Sequence, residues 1–438
     1  MSHVIVVDLG YGDAGKGTVV DWLCSRAGGR PVRTVVRFNG GAQAAHNVVT
    51  PDGRQHSFAQ FGSGTFRPGV TTFLSRFMLV NPVALAAEAG HLASVGVPDA
   101  LDRLVVDRDA LLTTPYHQAA NRARELARGQ DRHGSCGMGV GETVSFALAE
   151  PGLTPKAGDC VTPRVLIRKL SAVRDRLTDE LGPLDAPPPA DVCAAYLAFA
   201  ARVRLADAAD LRRLLHAGPA VFEGAQGVLL DEWRGFHPYT TWSTTTFANA
   251  DELLAEAGQD GFRLGVTRSY QTRHGPGPFV TEDQALTIAE PHNGLNPWQG
   301  SFRLGHLDAV ALRYAIEVTG GVDGLALTHL DSAASNPGLR VCRGYRVAGQ
   351  PLTRLIPGPE RDLAYQAGLT RLLLAAEPVY SGPVCSGPVS SEFGGGWAGV
   401  VEQETGVPVV LRSAGPTSAD KTESGDGRCL PGRLPQAA

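Results

Sequence analysis

The segment that most constrains this chain is its start: Val4-Ile-Val-Val-Asp-Leu-Gly10, then Gly10-Tyr-Gly-Asp-Ala-Gly-Lys-Gly17, then Thr18 to Ala27. A short apolar run ending in glycine is the pattern of a strand buried on both faces in a parallel sheet. The spacing after the loop is helical, so the segment reads as strand, glycine loop, helix. Loop N–H groups and a helix N-terminus in that position favour phosphate. The spacing GxxxxGK follows a P-loop until Gly17 stands where Ser or Thr belongs, with Thr18 one place late. Asp13 lies inside the loop, where a carboxylate opposes phosphate unless it binds Mg²⁺ or takes a proton. The plainer alternative is a glycine turn that only packs strand against helix.

Downstream the pattern repeats. Thr34 to Phe38 reads as a second strand running into Asn39-Gly40-Gly41, and helical segments are expected at 82–95 and 117–128. A glycine-rich stretch covers 134–141. Residues 160–217 read as mostly helical, interrupted by the connector Leu184-Asp-Ala-Pro-Pro-Pro-Ala190. Ala220-Val-Phe222 is a strand opening onto Glu223-Gly-Ala-Gln-Gly227, Leu307 to Val318 an amphipathic helix, Gly324 to Thr328 a strand, and Val407 to Leu411 a final strand. The expected fold is α/β, with a large, mostly parallel central sheet flanked by helices, a P-loop-like nucleotide-binding core and helical insertions. Residues 1–422 are expected to form one domain, and 423–438 a polar, disordered tail.

Composition narrows the function. The chain has 53 glycines and 30 prolines in 438 residues without a Gly-X-Y period, so the glycines serve loops of a folded body. A net charge of -4 leaves no basic field for nucleic acid. The seven cysteines are scattered without a CxxC pair, which points away from a disulfide framework or zinc cage. No apolar run has the length of a membrane span, and the expected location is a reducing cytoplasm. Lysine occurs only at 16, 156, 169 and 421 among 40 basic residues, so Lys16 in a glycine loop invites a chemical reading.

Three further segments carry candidate chemistry. Asn39-Gly-Gly-Ala-Gln-Ala-Ala-His46-Asn47 follows the second strand, so in a parallel sheet it shares the carboxyl edge with the first loop. His46 there can face phosphates, or be an ordinary hydrogen-bonded histidine. Thr328-His-Leu-Asp331 resembles a guanine-reading Asn/Thr-Lys-x-Asp pattern, whose carboxylate accepts from N1 and the exocyclic amine; a capping Asp at a strand end is the plain alternative. Gln226 offers an amide in a second glycine turn, and is equally able to be a turn residue.

Taken in order, these blocks resemble the adenylosuccinate synthetase family. The resemblance runs through Gly12 to Gly17 with Val20-Asp-Trp-Leu23, Gly40 to His46, Ala127-Arg-Gly129 to Gly141, and Phe222 to Asp231. It continues in Pro238-Tyr-Thr-Thr241, Tyr270 to Phe279 with Thr281-Glu282, Leu312-Arg-Tyr-Ala315, Ala326 to Asp331, and Gly406-Val-Pro-Val409 before Gly415-Pro416. It implies a GTP-dependent ligase that joins aspartate to the carbonyl carbon of IMP, working as a homodimer with Mg²⁺. Asp13 would be the general base, His46 would stabilise the transferring phosphoryl group, and Lys16 would steady anionic oxygens. Asp13 and the carbonyl of Ala45 would hold Mg²⁺. Gly12, Gly15, Gly17, Thr18, His46, Asn47, His329, Asp331, Ser413, Gly415 and Pro416 would bind GTP. Gln43, Cys136, Gln226, Thr241, Arg273 and Arg303, with Asp13, would bind the other substrates.

Departures from the family pattern cluster. Gly-Asp-Glu-Gly-Lys-Gly-Lys becomes Gly12-Asp-Ala-Gly-Lys-Gly-Thr18, and Gly-Gly-His-Asn-Ala-Gly-His becomes Gly40-Gly-Ala-Gln-Ala-Ala-His46. Thr-Thr-Gly-Arg-Gly becomes Ser135-Cys-Gly-Met-Gly139, and the guanine-stacking lysine is His329. The expected trans arginine has no counterpart near Ala149-Glu150. The aspartate loop becomes Asn296-Pro-Trp-Gln-Gly-Ser-Phe-Arg303, with Arg268 or Arg273 available to replace lost cations. Two other readings follow: the same chemistry on a different nucleoside or lactam, or a GTP-binding paralogue without turnover.

Overall fold

The computed structural model describes the chain apart from residues 1–2, 27–30, 130–131, 291–292, 294–297, 299, 382–395, 425–429 and 431–438. Cys385, Cys429 and part of the expected aspartate loop (Asn296, Pro297, Gln299) therefore lie outside the described residues. A ten-stranded sheet forms the centre. In spatial order its strands are Lys421–Glu423, Val409–Ser413, Gly324–Thr328, Gly261–Arg268, His3–Asp8, Ala220–Glu223, Thr34–Arg37, Thr71–Leu74, Leu104–Asp107 and Arg204–Ala206. Every pairing is parallel except that of the Lys421–Glu423 edge strand. All six residues of His3–Asp8 are buried, as a continuous apolar run covered on both faces requires. The expected α/β fold is the observed one.

The parallel arrangement fixes where the loops lie. The strands His3–Asp8, Ala220–Glu223 and Thr34–Arg37 are neighbours, so the loops that follow them meet at one carboxyl edge. The loops after Gly261–Arg268, Gly324–Thr328 and Val409–Ser413 continue along the same edge. Helix Lys16–Ser25 starts from Gly15 in the left-handed conformation (φ 87°). Helices Pro163–Leu181 and Pro189–Ala200 lie on either side of the predicted proline connector, and bury Leu166, Leu170, Val173 and Leu177 with Val192, Cys193, Tyr196 and Phe199 in a second core.

Several strands were not legible in the sequence. Arg204–Ala206 interrupts the region read as helical, and Thr71–Leu74 and Leu104–Asp107 are four-residue runs too short to carry a period. Gly261–Arg268 contains two arginines and two glycines, and becomes a central strand only because His3–Asp8 and Gly324–Thr328 pair with it. The helix expected from Leu307 begins at Ala309, since Leu307–Asp308 pairs with Val341–Cys342 and the Asp308 carboxylate caps the Ala311 N–H at 3.0 Å. At the C-terminus the polar composition was misleading. Glu423 belongs to the edge strand, the Ser424 N–H donates to Val410 O, and Leu430 is buried. The remainder of the expected tail lies outside the described residues.

Two glycines set how closely the loops approach. A Cβ on Gly227 would lie 2.2 Å from Gly10 O and 2.5 Å from Gly12 N, so two backbones touch there. A Cβ on Gly17 would lie 2.9 Å from His46 Cβ, so the first helix packs directly against the residue that carries the candidate histidine. Gly227→Ala is expected to destabilise the protein by about 2–3 kcal/mol or more, as overpacking against unyielding backbone does. Urea unfolding of the variant measures it.

Candidate active site

The glycine loop is closed on itself by the last residue of the first strand. Asp8 Oδ1 accepts from Gly10 N (2.8 Å) and Gly12 N (3.4 Å), while Oδ2 accepts from Ala14 N (2.9 Å) and Lys16 Nζ (3.0 Å). Both side chains of the Asp8–Lys16 ion pair are buried. This differs from the expectation for Lys16: its ammonium is held on a carboxylate inside the loop rather than free for anionic oxygens. Asp8 takes loop N–H groups that a P-loop would direct at phosphate. The sequence showed Asp8 only as part of an apolar run.

Asp13 is the loop residue left to act outward. Its backbone is left-handed (φ 58°), its carbonyl accepts from Arg268 Nη1 at 3.0 Å, and its Oδ2 meets His274 Nε2 at 2.8 Å. Burial pushes the Asp13 carboxyl up, but the hydrogen bond and charge of His274, with Lys16 and Arg268, outweigh it and hold the carboxyl below its ordinary range. Burial lowers His274, and the opposing pull of Asp13 raises it overall.

His46 is held by a carboxylate the sequence reading had quoted without a role. Its Nδ1 lies 2.6 Å from Glu223 Oε1, and Glu223 also accepts from the N–H of Ser63 (2.8 Å) and from the Ser63 hydroxyl. Burial raises Glu223, but Arg37, His46 and Ser63 outweigh it, so the carboxyl is ionised and Nδ1 carries the donated hydrogen. Burial lowers His46 despite Glu223. An anion arriving opposite Nε2 would reverse that balance, because negative charge favours the imidazolium.

Beside these groups are amide atoms without a partner. Gln226, again left-handed (φ 59°), has a buried, unpartnered Oε1, and both Oε1 and Nε2 of Gln43 are buried without partners. The Gln226 amide lies against Gly40 and that of Gln43 against Gly41, so both sit at the loop after the second strand. A buried polar group left unpaired costs about 1–3 kcal/mol. Together the two amides offer donors and acceptors to a flat molecule with a carbonyl and a ring N–H. Thr241 is half-buried nearby in sequence space, its N–H on Leu230 O at 2.8 Å.

The nucleotide-side candidates gather around the first helix. His329 is the third left-handed site residue (φ 57°). Its Cε1 is 3.6 Å from where a Gly15 Cβ would lie, and its Nδ1 is 2.9 Å from Thr328 Oγ1. Burial, then Arg268 and Lys421, hold it well below the usual histidine value, so it is neutral. Asp331 is exposed in the first turn of helix Leu330–Ser335. Ser413 is buried, Thr18 Oγ1 donates to Pro416 O at 2.7 Å, and Lys421 Nζ donates to Gly415 O (2.9 Å) and Thr417 O (2.7 Å). Lys421, unassigned in the sequence, thus shapes the Ser413–Pro416 turn. Asn47 is placed differently from expectation: its side-chain oxygen accepts from Gln55 and Ser57 on the adjoining hairpin. Ala45 is exposed beside His46.

The arginines expected to replace lost cations are committed elsewhere. Arg273 is buried over the Tyr11 ring and donates to Pro276 O at 3.0 Å. Arg303 donates to Gly275 O and Gly277 O and pairs with Glu282, and Arg268 pairs with Glu290. The Arg273 and Arg303 bonds shape the turn 275–277, Arg268 is also held by Asp13 O and Thr272, and Arg273 Nη1 is buried without a partner, so that guanidinium keeps one uncommitted donor group. Cys136 is half-buried next to Gly137, which lies under the Trp298 ring, and burial pushes its thiol up.

A parallel-sheet edge carrying an outward carboxylate in a glycine loop, a carboxylate-held histidine and unpaired amides defines a nucleotide-handling α/β enzyme. The adenylosuccinate synthetase family model matches residues 5–372, and the chain belongs to that family of carbon–nitrogen ligases. The chain is 33% identical to the adenylosuccinate synthetase of Neisseria gonorrhoeae over 372 residues, covering 81% of this chain and 83% of the relative. It is 32% identical to that of Paraburkholderia phymatum, covering 94% of each. The fold matches the fully ligated adenylosuccinate synthetase of Plasmodium falciparum with a TM-score of 0.80 at 21% identity, covering 97% of this chain and 100% of that one. A looser match, TM-score 0.57 at 18% identity over 96% of this chain and 95% of that one, is the succinoaminodeoxyadenylate synthetase of cyanophage S-2L, bound to dGMP and to dATP as energy donor.

Two outcomes test the geometry. Glu223→Gln weakens a charged hydrogen bond on His46 and is expected to lower kcat about 10- to 100-fold with the fold intact, measured by steady-state turnover and circular dichroism. Lys421 has its pKa lowered from 10.5 to about 8 by burial. Between those values the unfolded chain holds the proton and the folded one does not, so the stability of the protein relative to Lys421→Met should rise with pH across that window. Thermal unfolding of both proteins from pH 7 to pH 10 reads the sign.

Proposed function

We propose that the protein uses GTP to phosphorylate the carbonyl oxygen of an IMP-type purine, and that the amine of aspartate then displaces phosphate. The products are an adenylosuccinate-type nucleotide, GDP and phosphate. The observation that carries this reading is Asp13, held in a left-handed loop at the same sheet edge as a carboxylate-oriented histidine, the unpartnered amide of Gln43 and the unpartnered Oε1 of Gln226.

In the first step Asp13 takes the ring N–H proton while the carbonyl oxygen attacks the γ-phosphorus of GTP. His46, backed by Glu223, stabilises charge on the transferring group through Nε2. Gln226 and Gln43 orient the purine, with Thr241 and Cys136 farther along the same substrate. In the second step the amine attacks the activated carbon and the C–O bond breaks with phosphate as leaving group. Activation is needed because oxide is a poor leaving group.

Guanine is read by Asp331, which accepts from its two N–H donors, with His329 and the Ser413–Pro416 turn around the ring. The loop glycines Gly12, Gly15 and Gly17, with Thr18, approach the phosphates. Among the described residues no group of three His, Cys, Asp or Glu can hold a metal alone. The partly exposed Asp13 carboxylate and the carbonyl of exposed Ala45 are hard oxygen donors of the kind Mg²⁺ accepts when phosphates and water complete its shell. When bound, Mg²⁺ would neutralise negative charge on the phosphates of GTP. We further place the enzyme in the cytoplasm as a homodimer. No helix among the described residues is long and apolar enough to cross a membrane.

Asp13→Ala is expected to abolish GDP formation from GTP, IMP and aspartate while leaving GTP affinity within about tenfold, roughly 1.4 kcal/mol. Product mass and GDP release are read together with isothermal titration of GTP. No turnover of the unaltered enzyme with IMP and aspartate, or with other lactam and amine pairs, would instead support the reading as a GTP-binding paralogue.

A further inference from the structure

Asp13 is pinned from a direction its own loop does not supply. His274 ends the strand Gln271–His274, which pairs antiparallel with Phe302–Gly305 in a hairpin separate from the central sheet. Its ring packs on Phe302, its register partner, with centroids 4.8 Å apart. From there Nε2 reaches Asp13 Oδ2 at 2.8 Å. The hairpin itself is tightly held: Arg303 bonds the carbonyls of Gly275 and Gly277, and Arg273 is buried under Gly277 and on Tyr11.

We infer that His274 is a positioning residue for the base: it fixes Oδ2 of Asp13 and leaves Oδ1, with its two lone pairs, for the substrate side, where the ring N–H of the lactam and Mg²⁺ would share it, tying the base to the paired strands Gln271–His274 and Phe302–Gly305. The inference rests on the reading of Asp13 as the base. A carboxylate with no donor on either oxygen rotates about χ2, and each rotation exchanges the oxygen offered to substrate. A donor on Oδ2, together with the left-handed backbone at Asp13 and the Arg268 bond to its carbonyl, removes that freedom before substrate arrives. The arrangement parallels Glu223 and His46, where a buried group on a different strand orients a group at the sheet edge. It differs in that the orienting donor comes from an element outside the central sheet, so the position of the base depends on how the hairpin is seated.

The test compares His274→Leu, His274→Asn and His274→Gln in steady-state turnover, with thermal unfolding as a check on folding. Glutamine places an amide donor near the position of Nε2, whereas asparagine stops short and leucine offers none. The expected result is a loss in kcat of about 10- to 100-fold for leucine and asparagine, with KM for GTP within twofold, and recovery to within about threefold of the unaltered enzyme for glutamine. Turnover within twofold of the unaltered enzyme for leucine or asparagine overturns the inference. So does an equal loss in every folded variant, because that is the mark of a merely structural residue. If the leucine variant does not fold, the glutamine and asparagine pair gives the same decision. Asp13→Ala, measured alongside, separates the two claims: if it retains full turnover, the assignment of the base fails, whatever the His274 variants do.

Discussion

The site depends first on the contact of two bare backbones. The turn after Ala220–Glu223 packs on the loop after His3–Asp8 so closely that Gly227 has no room for a side chain. Neighbouring parallel strands put the two loops at one edge, but only glycine lets them touch. That contact sets Gln226 against Gly12, and the Gly17 approach sets His46 over the start of the first helix. Without either, the acid, the histidine and the amides would be scattered along the sheet edge.

The second constraint is buried charge. Three acid–base pairs meet in this small volume: Asp8 with Lys16, Glu223 with His46, and Asp13 with His274. Removing one member of a buried pair, Asp8–Lys16 or Glu223–His46, strands the other at a cost of about 3–5 kcal/mol; the partly exposed Asp13–His274 pair costs less to break. The pairs differ in what they leave available. Asp8–Lys16 is closed by loop N–H groups and acts as structure. Glu223–His46 leaves one imidazole nitrogen, and Asp13–His274 leaves one carboxylate oxygen. The least shielded pair holds the group assigned to proton transfer.

Backbone strain falls on three site residues, as well as on Ala348 and Arg361 in turns elsewhere. Asp13, Gln226 and His329 are left-handed, a conformation that costs a non-glycine residue about 1–3 kcal/mol and persists only where surrounding structure enforces it. Each sits in a loop at the sheet edge and was singled out in the sequence for its side chain alone. The αL backbone explains how an acid, an amide and an imidazole can project from tight turns that glycine would otherwise occupy. No propensity argument reveals it, since the strain is imposed by contacts from other loops.

The sequence by itself determined the α/β class, the central buried strands and the loops that carry the chemistry, because apolar runs and glycine turns are local signals that adjacent residues settle. It named Asp13, His46 and Gln226, whose motifs are contiguous. It could not supply Asp8, Glu223, His274 or Lys421 with roles, since each acts on a partner distant in the chain or hidden in an apolar pattern. It assigned Arg273 and Arg303 to the substrates, and their bonds to the 275–277 turn were decided by the two strands that surround them. Short or charged strands such as Arg204–Ala206 and Gly261–Arg268 were likewise decided by pairing. The physical reason is common to all of these: a side chain's type is written locally, but its charge, its orientation and the atoms it has left to offer depend on neighbours that only the folded chain brings within hydrogen-bonding distance.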